Sequence, residues 1–344
     1  MLLREHAVDY RLLNDFQRNF PFCPAPFAEL AAKLGVAEGA VLRMLGQLRR
    51  DGKIARVDAV FAPKRIGAST LAAMAVAPEK LRSVAETISR FPEVNHNYQR
   101  EHRYNLWFVV TAGSEGRLQA ALGAIEQAAG YPLLKLPLVQ EYHIDLGFPL
   151  DGQGEKRLAP RSPLIPLSPT IPCTPFTPFT PFIPPTPPTP LGELERRLVL
   201  ALQEGLPLFI RPFQILASRF GCDESEVLER IGRWCEEGII KRFGVVVRHH
   251  ELGYTANAML VQDIPDALIA EFAELLAHEP GVTLCYQRPR VLPEWPYNLF
   301  CMIHGQVRDE VEAKIAELRA RLKLTGFAHD TLFSITRFKQ TGGR

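Results

Sequence analysis

The chain carries two kinds of apolar periodicity in succession, and the succession occurs twice. Phe27, Leu30, Ala31 and Leu34 recur at i, i+3, i+4 and i+7, which places them on one face of a helix. Gly35 breaks that helix, Val41, Leu45 and Leu48 form the next stripe, and Gly52 ends it. Ile54–Phe61 then reads as a short strand pair, so the order predicted is a winged helix-turn-helix. Beyond it the spacing predicts a strand over Thr70–Val76, a helix over Glu79–Phe91 and a hairpin from Val94–Arg100 and Leu106–Ala112. Ser114 can cap a helix that ends near Gly130, and Tyr142–Leu146 is predicted as the last strand. That order, βαββαβ, is a ferredoxin-like sandwich.

A shift of 186 positions aligns Leu12 with Leu198, Pro26-Phe27 with Pro212-Phe213, Leu30-Ala31 with Leu216-Ala217 and Gly35 with Gly221. It also aligns Val41-Leu42 with Val227-Leu228 and Gly67 with Gly253. After short insertions, Tyr98-Gln99-Arg100 meets Tyr286-Gln287-Arg288, and Tyr104-Asn105-Leu106 meets Tyr297-Asn298-Leu299. The fold class is therefore α+β, a tandem duplication of a winged helix-turn-helix plus a ferredoxin-like domain. In the second copy the sandwich runs from Ala256–Val261 through Asp309–Leu322 to Leu332–Arg337. The boundaries predicted are 1–62 and 63–150 for the first copy, 151–191 for a linker, and 192–248 and 249–344 for the second copy.

The linker holds 13 of the 29 prolines, and from Pro160 to Pro184 one recurs at every third position. Three residues make one turn of polyproline II, so the prolines share a stripe along an extended rod. Leu164, Leu167, Phe176, Phe179 and Phe182 give that rod an apolar side, which either docks on a domain or is a tolerated repeat.

Forty Lys and Arg against 38 Asp and Glu leave a charge of +2, which excludes a strongly basic nucleic-acid coat. No apolar run is long enough for a membrane span, and MLLREHAVDY lacks the apolar stretch of a secretory signal. Six cysteines without a CxxC pair fit reduced thiols in a cytoplasmic protein. Asp223–Glu237, the recognition-type helix of the second copy, carries six acids against Arg230 and Arg233. Such a helix repels a duplex, so no DNA partner is expected.

The densest polar cluster runs from Asn95 to Asn105. Alternate residues of a strand share a face, so His96, Tyr98 and Arg100 point the same way. The second copy offers Leu284, Tyr286 and Arg288 there, and its longer connection adds Trp295. Histidine titrates near neutrality, and arginine holds carboxylates in a fixed fork.

Winged helices followed by βαββαβ domains resemble the Lrp/AsnC regulators. A closer resemblance lies in His96-Asn97-Tyr98, Tyr104-Asn105-Leu106-Trp107-Phe108, Cys285-Tyr286-Gln287-Arg288 and Glu294-Trp295-Pro296-Tyr297-Asn298-Leu299-Phe300. With Met302-Ile303-His304-Gly305, the wing Lys241–Val247 and the closing string Tyr142–Phe148, these strings are similar to the sirohaem decarboxylases. The match covers both halves and resembles the fused two-subunit form that serves haem d1. It implies removal of carbon dioxide from two acetate side chains of sirohaem, giving didecarboxysirohaem, in haem d1 or alternative haem biosynthesis. His96, Tyr98 and Arg100 are then the expected catalytic group, with His96 as proton donor or as axial ligand of the substrate iron. His102, Asn105, Trp107, His143, Arg242, Tyr286, Arg288, Trp295, Tyr297, Asn298 and His304 are the expected substrate-binding residues. The macrocycle is an electron sink, so no cofactor beyond the substrate iron is expected. The partners expected are sirohaem, a pseudo-dimer of the two halves, and a second homologous subunit if the fused chain does not act alone. Leu284 departs from the family's histidine before Cys-Tyr and puts catalysis by the second copy in doubt. The alternative is an Lrp/AsnC-like regulator or a tetrapyrrole sensor without turnover.

Overall fold

The computed structural model of the chain describes residues 8–62, 65–144 and 192–340. The proline array, Cys173 and the end of the closing string at 145–148 lie outside the described residues. Like pieces of the two copies group together: the described residues within 1–66 and 147–252 form one unit, and those within 67–146 and 253–344 the other.

In the first unit, α1 (Val8–Asp15), α2 (Pro26–Leu34), α3 (Glu38–Arg50) and β1 (Ile54–Phe61) come from the first copy. The second copy supplies α6 (Glu193–Glu204), α7 (Pro212–Phe220), α8 (Glu224–Glu236) and β7 (Ile240–Val247). Proline opens both α2 and α7, where the missing N–H costs nothing. Gly35 and Gly221 end them at φ 70° and 69°, a left-handed turn that glycine makes without strain. The predicted apolar stripes are buried on these helices.

The wing differs from the expected strand pair. Ile54–Phe61 is one strand, and its antiparallel partner is β7 of the second copy, from Ile54 opposite Val247 to Phe61 opposite Ile240. No Gly, Asn or Pro stands inside Ile54–Phe61 to turn the chain, so the equivalent segment of the other copy completes the ladder. Gly244 permits this seam, because a Cβ there would collide with the carbonyl oxygens of Phe16 and Gln17. Phe20 lies between Phe27 and Phe243, with ring centroids 5.7 and 5.5 Å away.

The second unit holds β2 (Ala68–Met74), α4 (Leu81–Ser89), β3 (Val94–Arg100), β4 (Leu106–Ala112), α5 (Glu115–Ala129), β5 (Leu134–Pro137) and β6 (Gln140–Ile144). From the second copy come β8 (Ala256–Gln262), α9 (Ile269–Ala277), β9 (Val282–Gln287), β10 (Leu299–Gly305), α10 (Arg308–Arg321) and β11 (His329–Gln340). Their strands join in one sheet, ordered β5-β2-β4-β3-β11-β8-β10-β9-β6. Ser114 caps α5 as expected, accepting the Arg117 N–H.

The last strand of the first copy is not where the periodicity puts it. Leu134–Pro137 closes the first sandwich beside β2, while Gln140–Ile144 crosses to pair with β9 of the second. Pro137 has no N–H to extend the ladder, and the chain is redirected there. The second copy reciprocates within a single strand. His329–Phe333 pairs with β8, and Ser334–Gln340 crosses to β3. The helices cover two cores, one per half. A third, aromatic core on the helix-free face combines Trp107 and Leu136 of the first half with Trp295, Phe300 and Leu332 of the second.

One charged site in the first unit gives a stability prediction. Asp58 is 2% exposed and ion-paired with Arg56. Burial pushes its carboxyl up to about 6, against the opposing pull of Arg56 and Arg242. A carboxyl raised on folding adds stability below its unfolded value near 3.8, and that contribution is lost as pH rises through about 6. Asp58→Asn should therefore remove a decline on the order of 2–3 kcal/mol between about pH 4 and 6.5. Urea unfolding across that range checks it; an unchanged pH profile refutes it.

Candidate functional site

The structure assembles most of the candidate residues on the second unit, around the first hairpin and its counterpart. On β3, Asn97 turns towards the helices and donates to the Ala85 carbonyl at 2.9 Å. His96, Tyr98 and Arg100 take the opposite, helix-free face. The His96 and Tyr98 rings are 6.5 Å apart and 18° from parallel, and the Arg100 guanidinium lies 5.9 Å from the Tyr98 ring centroid. The expected row is therefore present.

Arg100 is pinned rather than mobile. Its Nη1 donates to the Leu332 carbonyl at 2.8 Å, so a residue of the first half grips β11 of the second. Arg288 repeats the contact in reverse, donating to the Leu136 carbonyl of the first half at 2.5 Å. Arg288 also lies 5.4 Å from the Tyr286 ring centroid. Burial lowers both arginines to about 10, against the attraction of the neighbouring tyrosine. Both remain cations at neutral pH, and among the described residues neither pairs with a carboxylate. Burial also raises the Tyr98 hydroxyl, only partly offset by Arg337 and Arg100, so it remains a proton-bearing donor.

Strand exchange brings in residues that the hairpin argument missed. Gln340 and Arg337 of β11 stand opposite His96 and Tyr98, with Arg337 Nη1 donating to the Gln340 side chain at 3.2 Å. In the second half, Ile144 and Glu141 of β6 stand opposite Leu284 and Tyr286. The predicted last strands, Tyr142–Leu146 and Leu332–Arg337, include Ile144 and Arg337 but neither Glu141 nor Gln340, and neither says which half receives it.

Other candidates are committed to the scaffold. Trp295 is fully buried, and its ring lies 5.3 Å from His102, 5.1 Å from Trp107, 5.1 Å from Tyr297 and 6.0 Å from Phe300. The longer connection of the second copy thus supplies the hub of the aromatic core, and the Trp107 indole donates to the Tyr104 carbonyl. His102 accepts the Tyr104 N–H on Nδ1 at 2.9 Å, and its Nε2 faces Asp330 at 3.6 Å. Asn105 accepts the Val76 N–H and donates to the Val76 carbonyl; Asn298 does the same with Ile264. His304 Nδ1 lies 3.0 Å from the Thr283 hydroxyl, and His143 stands on β6 opposite Cys285. Arg242 is not with this group. It is buried in the first unit, donating to the Gln17 carbonyl at 3.0 Å beside Asp58, because β7 carries it into the wing seam.

Among the described residues, no cluster of three or more His, Cys, Asp or Glu is placed to hold a metal ion, and no helix is long and apolar enough to cross a membrane.

Comparison with known proteins gives the family. Residues 9–54 and 195–241 match the family profile "Siroheme decarboxylase NirDL-like HTH domain", and 65–143 and 251–339 match "AsnC-like ligand binding domain". A "Siroheme decarboxylase NirDL subunit" of Paracoccus denitrificans is 39% identical over 335 residues, covering 97% of this chain and 96% of that protein. The chain belongs to the sirohaem decarboxylase family. A "Siroheme decarboxylase NirL subunit" of Stutzerimonas stutzeri is 53% identical over 143 residues, 42% of this chain and 84% of that subunit. Among solved structures, a sirohaem decarboxylase NirDL in complex with an iron-uroporphyrin III analogue superposes with a TM-score of 0.65 at 25% identity. That match covers 98% of this chain and 93% of the other. The helix-turn-helix matched is thus the decarboxylase type, and family membership sets aside the regulator alternative.

Asn298 provides a test of the scaffold. It is 2% exposed, with both ends of its amide on the Ile264 backbone. Asn298→Ala leaves the Ile264 N–H without its acceptor, while the carbonyl keeps Arg290 Nη2 at 2.6 Å, and should cost about 1–3 kcal/mol in chemical denaturation. A loss below measurement error would show that the loop does not need the clamp.

Proposed function

We propose that this chain removes carbon dioxide from two acetate side chains of sirohaem, giving didecarboxysirohaem in haem d1 biosynthesis. The observation that carries the reading is the row His96–Tyr98–Arg100 on the helix-free face of the first half. An acid–base group, a protonated phenol and a cation without a carboxylate partner among the described residues lie side by side there. The positive field of Arg100 favours an approaching polycarboxylate and orients the Tyr98 hydroxyl's surroundings. The acetate C–C bond breaks with its electron pair passing into the macrocycle, carbon dioxide leaves, and one proton converts the remaining methylene to methyl. His96 is the donor of that proton. The substrate brings its own iron, and no other cofactor is required.

The second half supports the site rather than duplicating it. Leu284 stands where the first half has His96, and it neither donates a proton nor binds iron. Both halves are needed for one site because Arg100 is held by a strand of the second. The relatives that occur as separate subunits, NirL and NirH, support association with a further decarboxylase subunit.

His96→Ala should fold, because its side chain is only half-buried, yet lose ~10²–10⁴-fold in decarboxylation rate. Single-turnover conversion of sirohaem under anaerobic conditions, read by mass loss of the pigment, checks this. Near-normal turnover would move the chemistry elsewhere. An altered spectrum of the bound iron in that variant would instead make His96 the axial ligand.

DNA binding is not part of this function. On α8 Glu226, Glu229 and Glu236 are exposed, while Arg230 is held by Glu195 at 2.8 Å. Duplex binding at physiological salt should be weak and independent of sequence in a gel-shift titration. A site-specific nanomolar complex would contradict this.

A further inference from the structure

The duplication supplies two equivalent rows, and the exchanged strands make the first cationic and the second balanced in charge. In the first half, β11 lays Arg337 opposite Tyr98 and Gln340 opposite His96. In the second half, β6 lays Glu141 opposite Tyr286 and Ile144 opposite Leu284. The exchange is reciprocal and the two registers correspond, so each strand's contribution can be compared position by position. Opposed residues of antiparallel strands project to the same face, so each set belongs to its row.

The first row therefore collects Arg100 and Arg337 beside a histidine and an amide. The second collects Arg288 and Glu141 beside two aliphatic side chains. Arg337 is exposed, whereas Arg100 is 6% exposed and hydrogen-bonded to a backbone carbonyl. A carboxylate arriving from solvent meets Arg337 first, and an arginine fork on an exposed strand suits a planar carboxylate. At the matching place in the second half it meets Glu141, a like charge that repels it.

We infer that Arg337, carried across by the C-terminal strand of the second copy, is a substrate-carboxylate ligand of the His96 site, and that Glu141 keeps polycarboxylate tetrapyrroles off the second row. The inference rests on the decarboxylase reading above and names the residue that selects between the two rows. It makes the working site composite. The histidine comes from one copy and the outer carboxylate clamp from the other.

The test is an absorbance titration of the full-length chain with iron-uroporphyrin III, for the parent, Arg337→Gln and Arg337→Lys. The parent should bind one equivalent. Arg337→Gln should weaken binding about tenfold or more, and Arg337→Lys should recover most of that loss because the charge is retained. The salt dependence of binding should be shallower in Arg337→Gln than in the parent, which a purely structural role for Arg337 would not produce. Circular dichroism and thermal unfolding should be unchanged, since the side chain is exposed. Equal affinity of Arg337→Gln and the parent, or two equivalents bound with equal affinity by the parent, overturns the assignment. A parent that binds no iron-uroporphyrin III removes the decarboxylase reading and this assignment with it.

Discussion

The second unit depends on strand exchange. Neither half finishes its own sheet: β3 needs Ser334–Gln340, and β9 needs Gln140–Ile144. An edge strand left open exposes a row of unpaired N–H and carbonyl groups, and each copy covers the other's edge. Arg100 and Arg288 reinforce the seam, each donating to a carbonyl of the opposite half, the first from a buried and the second from a half-buried position. A buried guanidinium without an acidic partner is costly unless its geometry is fixed. The same contacts that fasten the halves together therefore hold a positive charge behind each tyrosine.

Duplication explains why such an arrangement can diverge. Asn105 and Asn298, Tyr98 and Tyr286, and Arg100 and Arg288 keep matching contacts. Differences that bear on the site lie at His96 against Leu284 and at Arg337 against Glu141. One half can specialise in chemistry while the other supplies packing, because the Asn105 and Asn298 clamps and the Arg100 and Arg288 contacts persist in both.

Much of the fold is legible in the sequence because it is written locally. The helical stripes, the capping Ser114, the Val94–Arg100 and Leu106–Ala112 hairpin and the repeat itself all rest on short-range spacing. What the sequence leaves out is partner choice. A strand's periodicity says which face is apolar but not which strand lies beside it, so Ile54–Phe61 reads as a self-contained wing and Tyr142–Leu146 as its own domain's last strand. The candidate site divides in the same way. The row on β3 follows from alternation within one strand, whereas Arg337 becomes a neighbour of Tyr98 only through a pairing 239 positions away. Asn105, Asn298 and Trp295 stand out in the motifs because the frame needs them. Arg242 stands out too, but for the wing seam.

The placing of the indoles has an optical consequence. Of three tryptophans, Trp234 belongs to the first unit, against Phe61 at 6.1 Å. Trp107 and Trp295 come from different copies, and their ring centroids are 5.1 Å apart at 63°. At that separation the two transition dipoles share excitation, so their circular dichroism belongs to the pair and vanishes when the halves part. Trp234 has no such partner ring among the described tryptophans. Loss of the coupled pair's circular dichroism thus reports loosening of the aromatic core without adding a label to the protein.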